Sequence, residues 1–130
     1  MIKVIVLGNR KPGMDLDEFR DYCVNKHAPL VRSCPWFWQR CNRYVQNHVF
    51  GVVDFQTRKV VTGEKFRFDV CAEFWFDSVE QALAAFSCED HQRLLRPDEL
   101  EFGDVQGDAV MLLTTEHLLG GSHPILDEMR

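Results

Sequence analysis

The feature that most constrains the fold of this chain is a run near its middle, residues 66–76, in which side chains alternate along the backbone. One set of alternate positions carries Phe66, Phe68, Val70, Ala72, Phe74 and Phe76. The positions between them carry Arg67, Asp69, Cys71, Glu73 and Trp75. Alternate side chains of a strand point to opposite faces, so this run predicts a β-strand with one apolar face against a core.

Three other segments have the composition of strands: residues 2–7, 39–49 and 109–116. The first is β-branched and nearly continuous, as is typical of a central strand. The second carries polar side chains on both faces, with Tyr44 and His48 together on one of them. That mixture predicts a strand that lines a cavity or an interface.

Two amphipathic segments separate these strands and predict helices. The first begins at Asp15, with Glu18 at capping-box spacing. We expect it to end near His27, because Pro29 disfavours helical backbone at the residue before it. The second begins at Ser78 and carries an apolar stripe at helical spacing.

The remaining segments are predicted to be short helices or connections. A short helical piece over residues 89–95 is expected to stop at Pro97, and residues 98–108 read as a polar loop. Residues 31–37 also read as a loop. Residues 50–65 are predicted to form a longer connection, which could be either a lid or a short hairpin.

The element order is therefore β-α-β-β-α-β, which predicts an α+β fold of the ferredoxin-like kind. Such a fold places both helices on one face of a four-stranded antiparallel sheet and leaves the other face uncovered. An uncovered face with apolar side chains favours pairing with a second copy, so we expect a homodimer with the architecture of a dimeric α/β barrel. We expect residues 1–118 to form this domain and residues 119–130 to form a peripheral tail.

Bulk properties exclude several classes of function. The net charge of −5 is spread over both signs, which argues against a nucleic-acid or anionic-membrane partner. No stretch approaches the ~20 apolar residues of a membrane span, and the apolar start is too short for a signal peptide. The five cysteines lack metal-ligand spacing, so we expect reduced thiols, no metal site and a cytoplasmic protein.

His27 is the leading candidate for chemistry. Helical spacing places it at the edge of the apolar stripe of the first helix, where it can face the cleft between helix and sheet. A helix C-terminus favours the charged imidazolium, whereas burial favours the neutral ring, and opposed effects of this kind suit acid–base work. The alternative is a structural histidine that ties down the turn at Pro29.

Other residues are candidates for the same cleft. His91 shares a face with two leucines near a loop, where an acid or base at a cavity mouth is as plausible as a surface histidine. Tyr44 and His48 would bind a substrate oxygen if their face points under the helices. Tyr22 could supply a phenol, although an aromatic residue at that spacing is more often part of the core.

Several blocks of the sequence resemble the EthD family. The matching blocks are Arg10 to Met14, Phe19, Tyr22, Lys26 to Leu30, Arg43 to Asn47, Phe74 to Ser78, and Phe102 to Asp104. The spaced K-H-A-P and F-W-F-D-S blocks are together fairly specific, and the resemblance covers residues 1 to about 118. It implies a dimeric α/β barrel, in agreement with the fold argued from the residues.

The resemblance also implies a function. The chain looks most like fungal EthD-type proteins of aromatic polyketide pathways, which act as decarboxylases of anthrone-type acids, such as atrochrysone carboxylic acid, or as dehydratases. We therefore expect a cofactor-independent lyase, with His27, His91 and Tyr22 as catalytic groups. Substrate contacts are expected from Tyr44, His48, Phe19, Phe74, Trp75 and Asp104. A dehydratase, a cyclase and a non-catalytic binding protein remain alternatives.

Overall fold

A four-stranded antiparallel sheet covered by helices on one face forms the centre of the molecule. The computed structural model describes residues 1–62 and 66–123. Its elements in chain order are β1 (Ile2–Gly8), α1 (Leu16–Tyr22), the π-helical segment π1 (Cys23–His27), α2 (Ala28–Ser33), α3 (Pro35–Trp38), β2 (Arg43–His48), β3 (Gly51–Val53), β4 (Val60–Thr62), β5 (Val70–Phe76), α4 (Val79–Ser87), the π-helical segment π2 (His91–Leu95), α5 (Arg96–Phe102) and β6 (Val110–Thr115).

The sheet confirms the predicted ferredoxin-like topology. Its strands lie in the order β2-β5-β1-β6, and each neighbouring pair is antiparallel. Phe74 at the middle of β5 lies opposite Val4 on one side and Tyr44 on the other. The strand predicted from residue 66 onward begins only at Val70, so the alternating run is longer than the strand it predicts.

Both helical arms continue beyond the proline that was expected to end them. The first passes from α1 through π1 into α2 and ends at Ser33, so the predictions of a helix end near His27 and a loop from residue 31 were wrong. The second passes from π2 into α5, so residues 98–102 are helical and not a loop.

The π-helical segments explain how the prolines are accommodated. The backbone N–H of Ala28 donates to the carbonyl of Cys23, and that of Arg96 donates to the carbonyl of His91, each five residues back. This wider turn places Pro29 and Pro97 in the first turn of the following α-helix, where a missing N–H is not needed. Each π segment carries one of the candidate histidines, His27 at the end of the first and His91 at the start of the second.

The main core lies between the sheet and the helices. Phe37 packs edge-on against Phe74, Phe76 and Phe86, with ring centroids 5.1–6.3 Å apart. A second, smaller cluster joins Phe19 and Cys23 to Phe102. The two clusters fix both helical arms to the sheet and leave space between them.

The long connection after β2 forms a hairpin, one of the two alternatives left open by the sequence. β3 and β4 pair antiparallel, with Val52 opposite Val61. Residues 63–65 of this connection lie outside the described residues. The other described residues of the hairpin do not line the cavity discussed below, so the lid alternative gains no support.

The opposite face of the sheet is not covered by helices. Ile5 lies opposite Leu112, and Leu7 lies opposite Val110, on this open face. Trp75 is also on it and is buried beneath the side chains of Lys3 and Arg43. Within the described ranges, no helix has the length and apolar character needed to cross a membrane.

Candidate active site

A cavity of about 620 Å³ lies between the sheet and the two helical arms. Its size falls in the range of small-molecule sites, roughly 300–1,000 Å³. Its aromatic lining consists of Phe19, Phe37, Phe74, Phe86 and Phe102. Its polar lining includes His27, Tyr44, Gln46, His91, Arg96, Glu99 and Asp104. A mainly apolar cavity with a few polar groups is typical of a site for a small organic ligand.

His27 is held in this cavity by Asp98, a residue of the other helical arm. Its Nδ1 lies 2.8 Å from Asp98 Oδ2, and both side chains are largely buried, with 14% and 13% of their surfaces exposed. The ring also packs against Phe102, with centroids 4.6 Å apart. Because a carboxylate accepts, Nδ1 carries the proton in the neutral ring, and Nε2 is left as the basic atom.

Tyr22 lies behind this pair and holds the other oxygen of Asp98. Its hydroxyl donates to Asp98 Oδ1 at 2.5 Å, and its ring stacks on Phe102. Burial and this hydrogen bond raise the pKa of Tyr22 to about 12, so the phenol stays protonated and remains a donor. Tyr22 does not line the cavity, so it would not contact a substrate directly. It would act on one only through Asp98 and His27.

The environment of His27 favours a neutral ring that can gain a proton. Burial lowers the pKa of His27, and the hydrogen bond and charge of Asp98 oppose part of that effect. The sequence correctly indicated opposed effects, but the one that favours the charged form is a carboxylate rather than the helix end. A neutral imidazole backed by a carboxylate is the arrangement of a general base, because the carboxylate stabilises the imidazolium that forms.

His91 lies in the same cavity with a different environment. It is 5% exposed, and its ring packs against both Phe37 and Phe86, with centroids at 6.1 and 5.5 Å. Burial, assisted by the positive charge of Arg96, lowers the pKa of His91 to about 4. The ring is therefore neutral near pH 7, which does not suit the proton-donor role that the sequence suggested.

Glu99 and Arg96 form the polar end of the cavity beside His91. Arg96 donates to Glu99 Oε2 at 3.0 Å, while Glu99 Oε1 lies 3.6 Å from His91 Nε2. That second separation is too long for a hydrogen bond, although it brings the carboxylate to the Nε2 side of the ring. Burial raises the pKa of Glu99, and the charge and hydrogen bond of Arg96 oppose this.

A series of hydrogen bonds between side chains of β2 holds the hydroxyl group of Tyr44 in place. His48 Nε2 donates to Gln46 Oε1 at 2.9 Å, and the amide nitrogen of Gln46 donates to the Tyr44 hydroxyl oxygen at 2.7 Å. The same nitrogen donates to the carbonyl of Cys23 in π1 at 2.8 Å. Because the Tyr44 oxygen accepts from Gln46, its own proton is available to a ligand. Burial raises the pKa of Tyr44 to about 12, so the proton is retained at neutral pH.

The structure brings together most of the residues expected from the sequence. Phe19, Phe74, Asp104 and Tyr44 line the cavity with the two histidines, whereas His48 lies beside it and acts on Tyr44 through Gln46. Trp75 does not contribute to the wall. It follows Phe74 in β5, and successive side chains of a strand point to opposite faces. It therefore lies on the open face, where its Nε1 donates to Glu116.

Asp98 belongs to this candidate site although the sequence pattern does not single it out. The sequence predicts a loop after Pro97, and an acidic residue in a loop carries no signal of its own. The available signal was the proline at the start of a possible helix followed directly by two acids, a pattern typical of a first helical turn. Across residues 1–62 and 66–123, no group of three or more His, Cys, Asp or Glu side chains could hold a metal ion.

Comparison with known proteins places this geometry in context. Residues 11–106 match the model of the EthD domain. A dehydratase named ustZ from Ustilaginoidea virens is 26% identical over 110 residues, which cover 82% of this chain and 78% of that protein.

Two solved structures show the same fold. A protein described as belonging to the ethyl tert-butyl ether d (EthD) family, from Bacillus halodurans, superposes with a TM-score of 0.62 at 20% identity, covering 90% of this chain and 99% of that one. A protein of unknown function from Bacteroides fragilis, described as dimeric with a ferredoxin-like fold, has a TM-score of 0.59 at 12% identity, with coverage of 87% and 93%.

Proposed function

This chain belongs to the EthD family, and we propose that it is a cofactor-independent lyase that removes water from an aromatic polyketide by proton transfer through His27. The observation that carries the proposal is the 2.8 Å contact of His27 Nδ1 with Asp98 in a cavity with aromatic walls. The dehydratase from Ustilaginoidea virens, similar over most of the chain, supports the same class of reaction.

The reaction would proceed through an enolate. His27 Nε2 takes the proton from the carbon next to the substrate carbonyl, and the C–H electron pair moves into the enolate. The electron pair then returns to form the C=C bond as the β-hydroxyl leaves, and the imidazolium returns its proton to that hydroxyl, which departs as water. Asp98 stabilises the imidazolium between the two steps.

Tyr44 is suited to bind the enolate oxygen in this scheme. Its hydroxyl proton is available to a ligand, because Gln46 holds the oxygen from the other side. A donor that is fixed before the reaction stabilises developing negative charge without having to reorient. The Gln46–His48 pair keeps it fixed, so we assign His48 a positioning role.

Decarboxylation, the reaction expected first from the sequence, is the second candidate. The apolar walls favour it, since a water-poor cavity favours the loss of a charged carboxylate as neutral CO2. Its last step, however, protonates carbon, and His27 would have to be in its charged form to donate that proton. The lowered pKa of His27 favours the neutral ring, and this supports dehydration, which begins with a base, better than decarboxylation.

One substrate distinguishes the two reactions. Atrochrysone carboxylic acid carries both a β-hydroxyl and a carboxyl group, so mass spectrometry of the product shows whether water or CO2 has left. We expect loss of water with wild-type protein and the background rate with His27→Ala. A wild-type rate equal to the rate without protein would contradict both lyase proposals. If His27→Ala also keeps full affinity for the substrate, a non-catalytic binding protein becomes the better account.

We also propose a homodimer formed through the open face of the sheet. Apolar residues of β1 and β6 lie on that face beside the buried Trp75, and an exposed apolar sheet face favours association. The similar solved structure from Bacteroides fragilis is described as dimeric. The cavity lies on the other face, so each protomer would hold a complete site.

A further inference from the structure

The β3–β4 hairpin exposes apolar side chains on both of its faces. Its strands form a separate two-stranded sheet and do not join the main one. Every side chain from Val52 to Thr62 is exposed. The apolar residues of the hairpin and its flank are 44–81% exposed: Phe50, Val52, Val53, Phe55, Val60 and Val61. A two-stranded hairpin is only marginally stable in water by itself, so this surface indicates a partner that covers it.

Strand β6 presents a second exposed apolar surface on the same chain. It lies at one edge of the main sheet. Its apolar side chains remain 37–52% exposed: Val110, Met111, Leu112 and Leu113. The strand at the opposite edge, β2, carries mostly polar side chains that are partly buried. β6 is therefore the edge of the sheet that can receive an apolar partner.

The hairpin and the start of β6 lie at the same end of the main sheet. β2, which leads into the hairpin, ends at His48 opposite Val70, and β1 ends at Gly8 opposite the same residue. β6 begins at Val110, opposite Leu7. Three strand spacings of about 4.8 Å separate β2 from β6. Within one chain the two apolar surfaces therefore lie at opposite edges of the same end.

The symmetry of a dimer determines which edges of two copies meet. The proposed dimer pairs the open faces of two sheets about a twofold axis. An axis along the strands places β2 of one copy over β6 of the other and keeps the same ends of both sheets together. The hairpin then lies beside the start of the partner's β6. An axis across the strands would instead place the hairpin beside the polar start of the partner's β2, at Arg43.

Charge also favours the axis along the strands. The turn of the hairpin carries Arg58 and Lys59, both exposed. The carboxylate of Asp54 is used inside this turn, where it accepts from the backbone N–H groups of two turn residues. The loop that precedes β6 carries Asp104 and Asp108, whereas β2 begins with an arginine. A basic turn therefore meets an acidic loop in the first arrangement and a positive charge in the second.

We propose that the β3–β4 hairpin is a dimerisation element, which packs on strand β6 of a second copy of this chain. The inference rests on the homodimer of the proposed function and specifies what the hairpin contributes to it. The valines of the hairpin cover the apolar edge strand of the partner, and the basic turn faces the acidic loop before that strand. The contact adds surface to the interface and supplies no catalytic group.

Photo-crosslinking of the intact protein locates the hairpin in the dimer. The photoreactive residue p-benzoylphenylalanine replaces Phe55, which is 81% exposed, so the fold should be preserved. Irradiation should produce a covalent dimer, and digestion with mass spectrometry should place the crosslink within residues 104–113 of the partner. The matched control carries the same photoreactive residue in place of Trp36, which is 58% exposed on α3. That protein should give no covalent dimer.

Reversal of charge tests the same contact through affinity. Lys59→Glu and Asp108→Lys should each raise the dimer dissociation constant roughly 5-fold or more. Exposed ion pairs are individually weak, but this contact occurs twice in a symmetric dimer. The double variant restores opposite charges and should return the constant to within about 2-fold of wild type. Neither residue lines the cavity, so the substitutions leave the proposed active site unchanged.

Three outcomes would overturn the hairpin contact. They are a crosslink to the partner's β2 or hairpin, crosslinks confined to one chain in a protein that sediments as a dimer, and losses that add in the double variant. In the second case the dimer stands and only the hairpin contact is wrong. A wild-type protein that sediments as a monomer removes both. Lyase activity enters none of these measurements, so the proposed reaction is judged separately.

Discussion

His27 and Asp98 are joined by a 2.8 Å hydrogen bond although 71 positions separate them in the sequence. The bond connects the end of π1 to the first turn of α5, so each helical arm supplies half of the pair. Tyr22 holds the second carboxylate oxygen of Asp98. The orientation of the His27 ring is therefore fixed by both arms, which is what a base needs if one nitrogen is to face a substrate repeatedly.

Replacement of Asp98 by Asn tests this pair. The amide is nearly the same size but can donate to Nδ1, which would move the ring proton to Nε2 and remove the basic atom. We expect kcat to fall by about 10²–10⁴-fold with a small change in KM. Glu101→Gln, on the exposed side of the same helix, is the matched control and should keep most of the activity. Equal losses in both variants would indicate damage to α5 rather than to catalysis.

Tyr22→Phe should shift the pH profile rather than abolish activity. Without the phenol, the negative charge of Asp98 is less dispersed and attracts the imidazolium more strongly, so the pKa of His27 rises. Because the base must be neutral, the acid limb of kcat/KM should move to higher pH. The shift is at most about two units, since a hydrogen bond to a charged group is worth about 1.5–3 kcal/mol and one unit is about 1.4 kcal/mol. A limb that stays in place would leave Tyr22 with only a packing role.

His91→Phe should make the ligand-free protein more stable near pH 7. The substitution removes a buried Nδ1 that makes no hydrogen bond to any described residue, and it keeps an aromatic ring in the core, so we expect a gain of about 1 kcal/mol in the free energy of unfolding. Chemical denaturation of both proteins provides the measurement. A variant less stable than wild type would indicate that Nδ1 is satisfied in the native protein.

The same variant should also flatten the dependence of stability on pH. Burial lowers the pKa of His91 from an ordinary value of 6.5 to about 4, so the unfolded chain binds a proton more readily than the folded one between these values. Stability contributed by the neutral ring is therefore present above pH 6.5 and is lost as the pH falls toward 4. The His91→Phe variant lacks the contribution of His91 to the pH dependence of stability. The contributions of His27 and His48, whose pKa values are also lowered, remain in the variant. An unchanged slope in denaturation series across this window would contradict the assignment.

The strands of the main sheet were predictable from the sequence because their signal is local. The alternation that ends at Phe76 and the β-branched run of β1 each predict a strand without knowledge of the rest of the chain. The helix ends were not predictable in the same way. Pro29 and Pro97 normally stop a helix, and only the π segments before them allow the arms to continue.

The site was predictable only in part. His27 carried a local signal, the edge of an apolar stripe, whereas Asp98 acquires its role from a residue 71 positions away. The role of His91 depends on which groups surround its two nitrogens, and spacing along a helix does not reveal that. Trp75 could have been excluded from the cavity, because the alternation that places Phe74 inward places its neighbour outward.

The proposed homodimer predicts that charge on the open face will separate the protomers. Leu112 on β6 is 41% exposed and lies opposite Ile5 on that face. Leu112→Glu would bury an unpaired carboxylate in the interface, at a cost of several kcal/mol, so we expect the dimer dissociation constant to rise by about 100-fold or more. Leu83→Glu is the matched control, since Leu83 is 55% exposed on α4, away from the sheet. Sedimentation of the three proteins should show dimer, monomer and dimer in that order. If the wild-type protein is a monomer, the proposed dimer is wrong. If the Leu112→Glu variant remains a dimer, the interface lies on another surface.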